Sequence, residues 1–375
     1  MILFVDQSGQ MGGAELCLAD LASHFSPNAR VLLFSDGPFV PYLEERGVPV
    51  SLVPLPAAVA RTTKNTSPLS LLTRIPALVR HSWKLRSMFQ TADVLYLNTA
   101  KALLLGAFAN AFARRPCIFH LHDLWTESHF SRRNIRLLVA AANRVDAVIA
   151  NSEASAEAFR EAGGRTPLEV IPNGFPVLQE STGVDLRKIE NPGGGPVAAV
   201  FGRLARWKGQ HLLLEAALEI PGLTVWIVGE ALFTADDEAY AAELRAIAAG
   251  MGERVRFLGF RSDVPDLMRA ADFIVHCSTS PEPFGRVVVE GMLAGRPVIA
   301  ADAGGPREIV RGGVTGILVP PGDRHALASA LRRLIASPED AKKMGAAGRE
   351  VAVNLYSLER VFSETARVIQ SVRRP

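Results

Sequence analysis

Short apolar runs of strand type recur through this chain with helical stretches between them, and the pattern is interrupted once and then restarts. The first series is Ile2–Val5, Arg30–Phe34, Val94–Leu97, Ile118–Leu121, Ala147–Ala150 and Glu169–Ile171, with helices such as Ala14–His24 between. From Val177 periodicity is lost, and Pro and Gly gather in Asn191-Pro-Gly-Gly-Gly-Pro196, as in an interdomain linker. The second series is Val197–Phe201, Thr224–Val228, Val255–Leu258, Phe273–His276, Pro297–Ala300 and Gly316–Val319. Alternating strand and helix implies mostly parallel, doubly wound sheets. The sequence therefore predicts an α/β chain of two Rossmann-like domains, 1–178 and 179–355, and 375 residues suit two such cores. A last amphipathic helix falls in 356–375. Its apolar positions Leu358, Phe362, Ala366, Ile369 and Val372 keep helical spacing and need a surface to cover.

Composition excludes several classes. With 48% hydrophobic and 21% charged residues the chain is globular, not disordered, and a net charge of +3 does not imply nucleic acid. Cys17, Cys117 and Cys277 are odd in number and widely spaced, which gives neither a disulfide framework nor a zinc pattern and points to a reducing, cytoplasmic compartment. The N-terminus opens directly on a strand, and no apolar run reaches membrane-spanning length. Charge is uneven: no acidic residue lies between Glu45 and Asp93, an interval holding Arg46, Arg61, Lys64, Arg74, Arg80, Lys84 and Arg86. Within it, apolar residues including Leu71, Leu72, Trp83 and Met88 interleave with the cations. This fits a segment lying on an anionic membrane, and equally a helix packed on the sheet with a solvated basic face. Arg132, Arg133 and Arg136 form a second basic cluster.

The stretch Ser280-Pro-Glu-Pro-Phe-Gly-Arg-Val-Val-Val-Glu290 carries the strongest local chemistry: a Pro/Gly turn opening onto a helix near Gly285. A helix N-terminus offers free N–H groups and a positive dipole end, so the backbone of Phe284, Gly285 and Arg286 suits a phosphate. Gly285 lets that backbone come close. Glu282 in the turn and Glu290 two turns on could meet two parts of one extended ligand, such as a nucleotide sugar. A helix-start charge and a solvated helix charge would use the same two residues.

Here the chain resembles the retaining GT-B glycosyltransferases of family four, which carry an E-x7-E pair like Glu282 and Glu290 behind Pro-Glu-Pro-Phe-Gly. The resemblance extends over nearly the whole chain, through Gly12-Gly13-Ala14-Glu15, His122-Asp123, Ile171-Pro-Asn-Gly174, Gly202-Arg203-Leu204 with Lys208-Gly209, Gly304-Gly305 with Glu308-Ile309-Val310, and Gly316 to Asp323. It implies two Rossmann-like domains facing across a cleft, with the C-terminal helix crossing back to the first. By the same resemblance Glu290 would hold the nucleotide ribose and Glu282 the donor sugar, Arg203 and Lys208 would clamp the diphosphate, and His122 would lie near the reacting centre. Fixed cations stabilise a leaving diphosphate most in the transition state. Gly12 and Gly13 would form a bare loop beneath the ligand, and Asn173 would sit at the hinge. His120, within its strand, is expected to face the packed sheet.

No Asp-x-Asp stands at a strand end, so no metal and no separate cofactor are expected, the donor being a substrate. No carboxylate pair is placed as nucleophile and general acid, and the resemblance favours front-face substitution with retention. The implied acceptor is a glycan or lipid-linked glycan of surface-polysaccharide assembly, with peripheral contact to an anionic inner membrane face. The competing readings are a GT-B epimerase or phosphorylase and a dinucleotide oxidoreductase, the latter opposed by the lack of G-x-G-x-x-G after either first strand. A non-catalytic module would require loss of Glu282, Glu290, Arg203 or Lys208, and all four are present.

Overall fold

The computed structural model describes residues 1–55, 75–176, 185–191, 193–231 and 234–373, with the backbone alone for 75–78. Arg61, Lys64, Arg74, Leu71 and Leu72 of the basic interval lie outside the described residues. The chain divides into two compact units, Met1–Gly174 with Leu358–Pro375, and Phe175–Ser357.

The first unit holds β1 (Ile2–Asp6), β2 (Ala29–Leu33), β3 (Val50–Leu52), β4 (Val94–Leu97), β5 (Cys117–Leu121), β6 (Ala147–Ala150) and β7 (Leu168–Val170). They form one sheet in the order β3-β2-β1-β4-β5-β6-β7, every pair parallel. The second unit holds β8 (Val197–Phe201), β9 (Thr224–Val228), β10 (Val255–Gly259), β11 (Phe273–His276), β12 (Val298–Ala301) and β13 (Gly316–Val319). Their order is β10-β9-β8-β11-β12-β13, again all parallel. Parallel neighbours need long crossovers, which is why helices separate the strands and cover both sheet faces. The strands alternate sides accordingly: Leu3 and Val5 of β1 join one core while Ile2 and Phe4 join the other, and β8 divides in the same way between Ala198 with Val200 and Val197 with Phe201. Truncating a residue as buried as Phe4 would cost about 3–5 kcal/mol.

One expectation needs correction and another is refined. The aperiodic stretch before Pro196 contains a short helix, Leu186–Glu190, started by the Asp185 side chain, which accepts from the Lys188 N–H. Buried Glu190 there pairs with Arg261 at 2.9 Å. The final helix, Leu358–Val372, belongs to the first unit, but its buried stripe is Val361, Thr365, Val368 and Ile369. Of the expected positions, Ile369 lies in this stripe and Phe362 and Val372 pack against the same core, whereas Leu358 and Ala366 are only partly buried; Val361, Thr365 and Val368 were not among those expected. The helix closes the core containing Ile2, Phe4 and Ile149.

Candidate active site

In a doubly wound sheet, ligands gather beyond the C-terminal strand ends where strand order reverses, since adjacent loops part there to opposite faces. In the second unit this point lies between β8 and β11. The chain leaving β8 passes Arg203 and Lys208 before the helix Gln210–Leu218, and the chain leaving β11 passes Ser278 and Glu282 before the helix Arg286–Leu293. The two loops are tied together: the Thr279 N–H donates to the Trp207 carbonyl at 2.8 Å. The Cys277 carbonyl presses on Gly209, where a Cβ would stand 2.0 Å from it at a φ of +70°, so position 209 requires glycine.

Glu282 is the centre of the site. It is 6% exposed, and its Oε1 accepts from Lys208 Nζ at 2.6 Å, from His276 Nε2 at 2.8 Å and from the Ser278 hydroxyl. Burial alone would raise this carboxyl, but the charges of Lys208 and His276 and their hydrogen bonds overrule it and hold it well below the usual range. Its backbone is fixed too, pairing with Gly304 in an isolated bridge and accepting from the Gly305 N–H at 2.9 Å. Lys208 and Glu282, expected on different parts of a ligand, therefore meet first as an ion pair with each other.

Gly285 stands at a φ of +92° as the N-cap of the helix Arg286–Leu293 and supplies no side-chain cap, which leaves the helix's first N–H groups to other acceptors. Phe284 points inward, its ring 6.2 Å from Phe175 and 5.9 Å from Tyr356, so only its backbone faces the turn. Arg286 lies over the Phe175 ring at 4.5 Å and reaches Glu290 Oε1 at 3.4 Å, one helical turn on. Arg203 stands 3.9 Å from Asp237 Oδ2, and its carbonyl accepts from Gln210 at 2.9 Å.

In the first unit strand order reverses between β1 and β4. Asp6 ends β1, Asn98 follows β4 and His122 follows β5; Asn98 Nδ2 donates to Asp6 Oδ2 at 2.7 Å, and Asn98 Oδ1 lies 3.0 Å from His122 Nε2. Desolvation raises the buried Asp6 carboxyl to about 6. Burial and then the charge of Asp6 raise Glu15 to about 7. Gly12 and Gly13 open the helix Gly13–His24. Glu15 folds back over this start: a Cβ on Gly12 would lie 2.8 Å from its Oε2. A side chain at position 12 would therefore meet this carboxylate first, and the flexible Glu15 could swing away from it. Glu15, Asn98, Lys101, His122, Asp123 and Leu137 are among the residues lining a cleft of about 790 Å³. Asn173 is buried at 3% exposure with its Oδ1 unpartnered. His120 is buried in the sheet, with its Nδ1 2.8 Å from the Tyr96 hydroxyl, as its place in the strand predicts. Another hollow, about 480 Å³, opens at the N-terminal ends of β8, β11 and β12 beside Pro196, Phe273 and Pro297, and holds none of these residues.

Sequence reasoning missed Asp6, Asn98, His276 and Ser278. No spacing marks Asp6 and Asn98, which meet across 92 positions, while His276 and Ser278 lie beside Glu282 in the same strand-to-helix stretch and matter only through its carboxylate.

The model for Glycosyltransferase Family 4 matches residues 11–177, and that for Glycosyl transferases group 1 matches residues 181–351. Together they take in both units. The chain is a family-four glycosyltransferase. Among curated relatives, a phosphatidyl-myo-inositol mannosyltransferase of Mycobacterium leprae is 33% identical over 75% of this glycosyltransferase and 74% of its own length. The lipopolysaccharide core biosynthesis glycosyltransferase LpsE of Rhizobium meliloti is 29% identical over 60% of the chain, which spans 64% of that relative's length, less than two thirds. Among solved structures, HepE of Anabaena in complex with UDP-glucose superposes with a TM-score of 0.88 at 40% identity, covering 99% of each chain. A sucrose-phosphate synthase from Thermosynechococcus elongatus, 22% identical with a TM-score of 0.82 and covering 99% of this chain and 98% of that one, shares the fold. The glycosyltransferase thus has two parallel-sheet Rossmann-like domains of the GT-B class.

Proposed function

We propose that this glycosyltransferase moves a sugar from a uridine-diphosphate donor to a hydroxyl of a glycan or lipid-linked glycan, with retention of anomeric configuration and without a metal. The observation that carries the reading is the buried Lys208–Glu282 pair at the β8/β11 reversal. It puts a buried carboxylate and a half-buried cation, held in place by each other, where an α/β sheet receives ligands. In this reading Lys208 and Arg203 meet the diphosphate with the N–H groups of Gly285 and Arg286, and Glu282 accepts from donor-sugar hydroxyls. Glu290, steadied by Arg286, accepts from the ribose. The HepE complexes with UDP and with UDP-glucose support the choice of base.

The acceptor hydroxyl attacks the anomeric carbon on the face the diphosphate leaves. The new C–O bond forms as the bond to phosphate breaks, and the hydroxyl proton passes to a leaving phosphate oxygen. No side-chain nucleophile is used, and the cations take up the charge that develops on the leaving group.

The first unit supplies the acceptor side in this reading, and its surface favours a lipid-linked acceptor. Leu104 and Leu137 line the 790 Å³ cleft and are also exposed. From Leu104 the stripe continues along its helix to Phe108 and Phe112, and Trp83, 55% exposed, stacks on Phe112 with ring centres 6.2 Å apart. Exposed Arg80, Lys84, Arg133 and Arg136 lie on the same three helices. Arg86 belongs to the packing: it lies over Trp83 and donates to the Phe112 carbonyl. An aromatic stripe bearing cations suits the face of an anionic bilayer. Names of the relatives, a lipopolysaccharide core enzyme and a phosphatidylinositol mannosyltransferase, agree with such acceptors. Among the described residues no helix is long and apolar enough to cross a membrane.

A thermal-shift panel of nucleotides and nucleotide sugars tests the donor. A ligand at about 100 times its Kd stabilises by about 2.7 kcal/mol. UDP and UDP-sugars should raise Tm in the presence of EDTA, and a panel in which no nucleotide diphosphate does so would reject the reading.

A further inference from the structure

In the hollow beside Pro196, Phe273 and Pro297 the charges do not balance. It lies wholly in the second unit, and its volume of about 480 Å³ is that of a small-ligand site. The charged residues lining it are Arg187, Asp272, Arg296 and Lys342. Asp272 is already engaged: its Oδ2 accepts from Arg187 Nη2 at 2.8 Å and from the Val197 N–H at 2.7 Å. Arg187 is neutralised by that pair, whereas Arg296 and Lys342 have no carboxylate within ion-pairing distance among the described residues. Arg296 is nevertheless held in place. Its Nη2 donates to the Arg269 carbonyl, beside the Ala270 carbonyl that accepts from Arg187 Nη1 at 3.1 Å. These carbonyls end the helix Val264–Ala270, where the dipole favours cations. Capping accounts for one donor of a guanidinium that has five. Nε is buried without a partner, and Nη1 has no acceptor among the described residues. Burial pushes the Arg296 pKa down, against the pull of Asp272 and with a further push from Arg187, so this cation is held there under-compensated.

We propose that this hollow is a second binding site, for a phosphate monoester of an apolar alcohol, with the phosphate taken by Arg296 and Lys342 and the apolar body by Phe273, Leu334 and Ile335. Such a phosphate carries a charge of about −1.5 to −2 at neutral pH, which matches two unpaired cations, whereas a carboxylate matches one. The planar fork of Arg296, already fixed through Nη2, loses little freedom when Nη1 gains an acceptor. The rest of the wall is chiefly apolar and includes Pro338 and Ala341, so an ester with an apolar body covers surface that inorganic phosphate leaves wet. The hollow is separate from the Glu282 site. Phe273 opens β11 and His276, which holds Glu282, closes it, so the two sites stand at opposite ends of one strand, about 10 Å apart along it.

Isothermal titration of the full-length protein with phenyl phosphate, and with inorganic phosphate and phenol for comparison, tests the site. Phenyl phosphate should bind with a Kd of about 1 mM or tighter, inorganic phosphate roughly 10-fold more weakly, and phenol not measurably. Lys342→Ala, at an exposed position, and Arg296→Lys, which keeps a charge but not the fork, should each weaken phenyl phosphate roughly 10-fold or more, the scale of one hydrogen bond to a charged group. If Arg296→Lys does not fold, Lys342→Ala alone decides. Neither saturating UDP nor Lys208→Ala should change the Kd for phenyl phosphate. Binding that UDP or Lys208→Ala abolishes and Lys342→Ala leaves intact lies at the Glu282 loops and overturns the proposal, as does an absence of binding at millimolar concentration. Equal affinity for inorganic and phenyl phosphate overturns the apolar contact and with it the ligand class.

Discussion

Removing the Glu282 carboxylate tests the site and the fold together. In Glu282→Ala the Lys208 ammonium, the His276 Nε2–H and the Ser278 hydroxyl all lose a common acceptor that was 6% exposed. Breaking a buried pair by deleting one partner costs about 3–5 kcal/mol, because the other charge stays buried and uncompensated. For a unit of this size each kcal/mol moves Tm by about 2–4 °C, which gives a fall of about 6–20 °C. Glu282→Gln keeps an acceptor and the shape but not the charge, so it should fall between wild type and alanine. Calorimetry without ligand, with each variant scanned across pH, makes the measurement. The folded pKa of Glu282 lies well below its ordinary value of 4.5, so its contribution is present above the unfolded pKa and is lost as pH falls through the folded one. The gap between wild type and Glu282→Gln should therefore be constant at neutral and mildly acidic pH and close only in strong acid. A Tm within 1 °C of wild type for both variants, or a gap that closes as pH rises, would refute the argument that this carboxylate is ionised and paired.

Lys208→Ala and Glu290→Ala should each lower kcat/KM by roughly 100-fold or more, the scale of removing a preorganised polar contact, and near-normal kinetics in both with intact folds would remove the donor assignment. EDTA should leave turnover essentially unchanged, whereas a loss restored by magnesium or manganese would contradict a diphosphate held by cations and a helix start. Proton NMR of the product should show the donor's anomeric configuration; an inverted product rejects front-face substitution. Binding to liposomes should require anionic lipid, weaken as salt rises from about 0.05 to 0.5 M and drop in Arg80→Ala/Lys84→Ala and in Trp83→Ala, and indifference to anionic liposomes at low salt would end the membrane reading.

The interior strands were legible because both sheet faces are covered, which makes β1, β4 and β8 nearly continuous apolar runs. β3 escaped notice for the same reason in reverse: Val50–Leu52 is an edge strand only partly buried, held between Pro49 and Pro54, with too few residues to show a period. Thr365 was left out of the final helix's stripe because no apolar scale favours a threonine, although it is buried there. Glu282, Glu290, Arg203 and Lys208 could be named because two loops and the helix Arg286–Leu293 carry them at the spacing of the family resemblance. Their pairing could not, since Lys208 and Glu282 are separated by 74 positions and meet only when β8 and β11 become neighbours. Asp6 and Asn98 are 92 positions apart and equally silent.

The first unit is completed by Leu358–Val372, while everything between Phe175 and Ser357 belongs to the second. During synthesis the order of manufacture and the order of completion therefore differ. The ribosome makes the whole second unit before the helix that seals the core of Ile2, Phe4 and Ile149 exists. The earliest sheet must wait with an apolar face unsealed for the time taken to make all the residues from 175 to 357, at about 5–20 residues per second. A nascent chain stalled just after residue 357 would display one finished globule and one open one, and the open sheet is where a chaperone would find its grip.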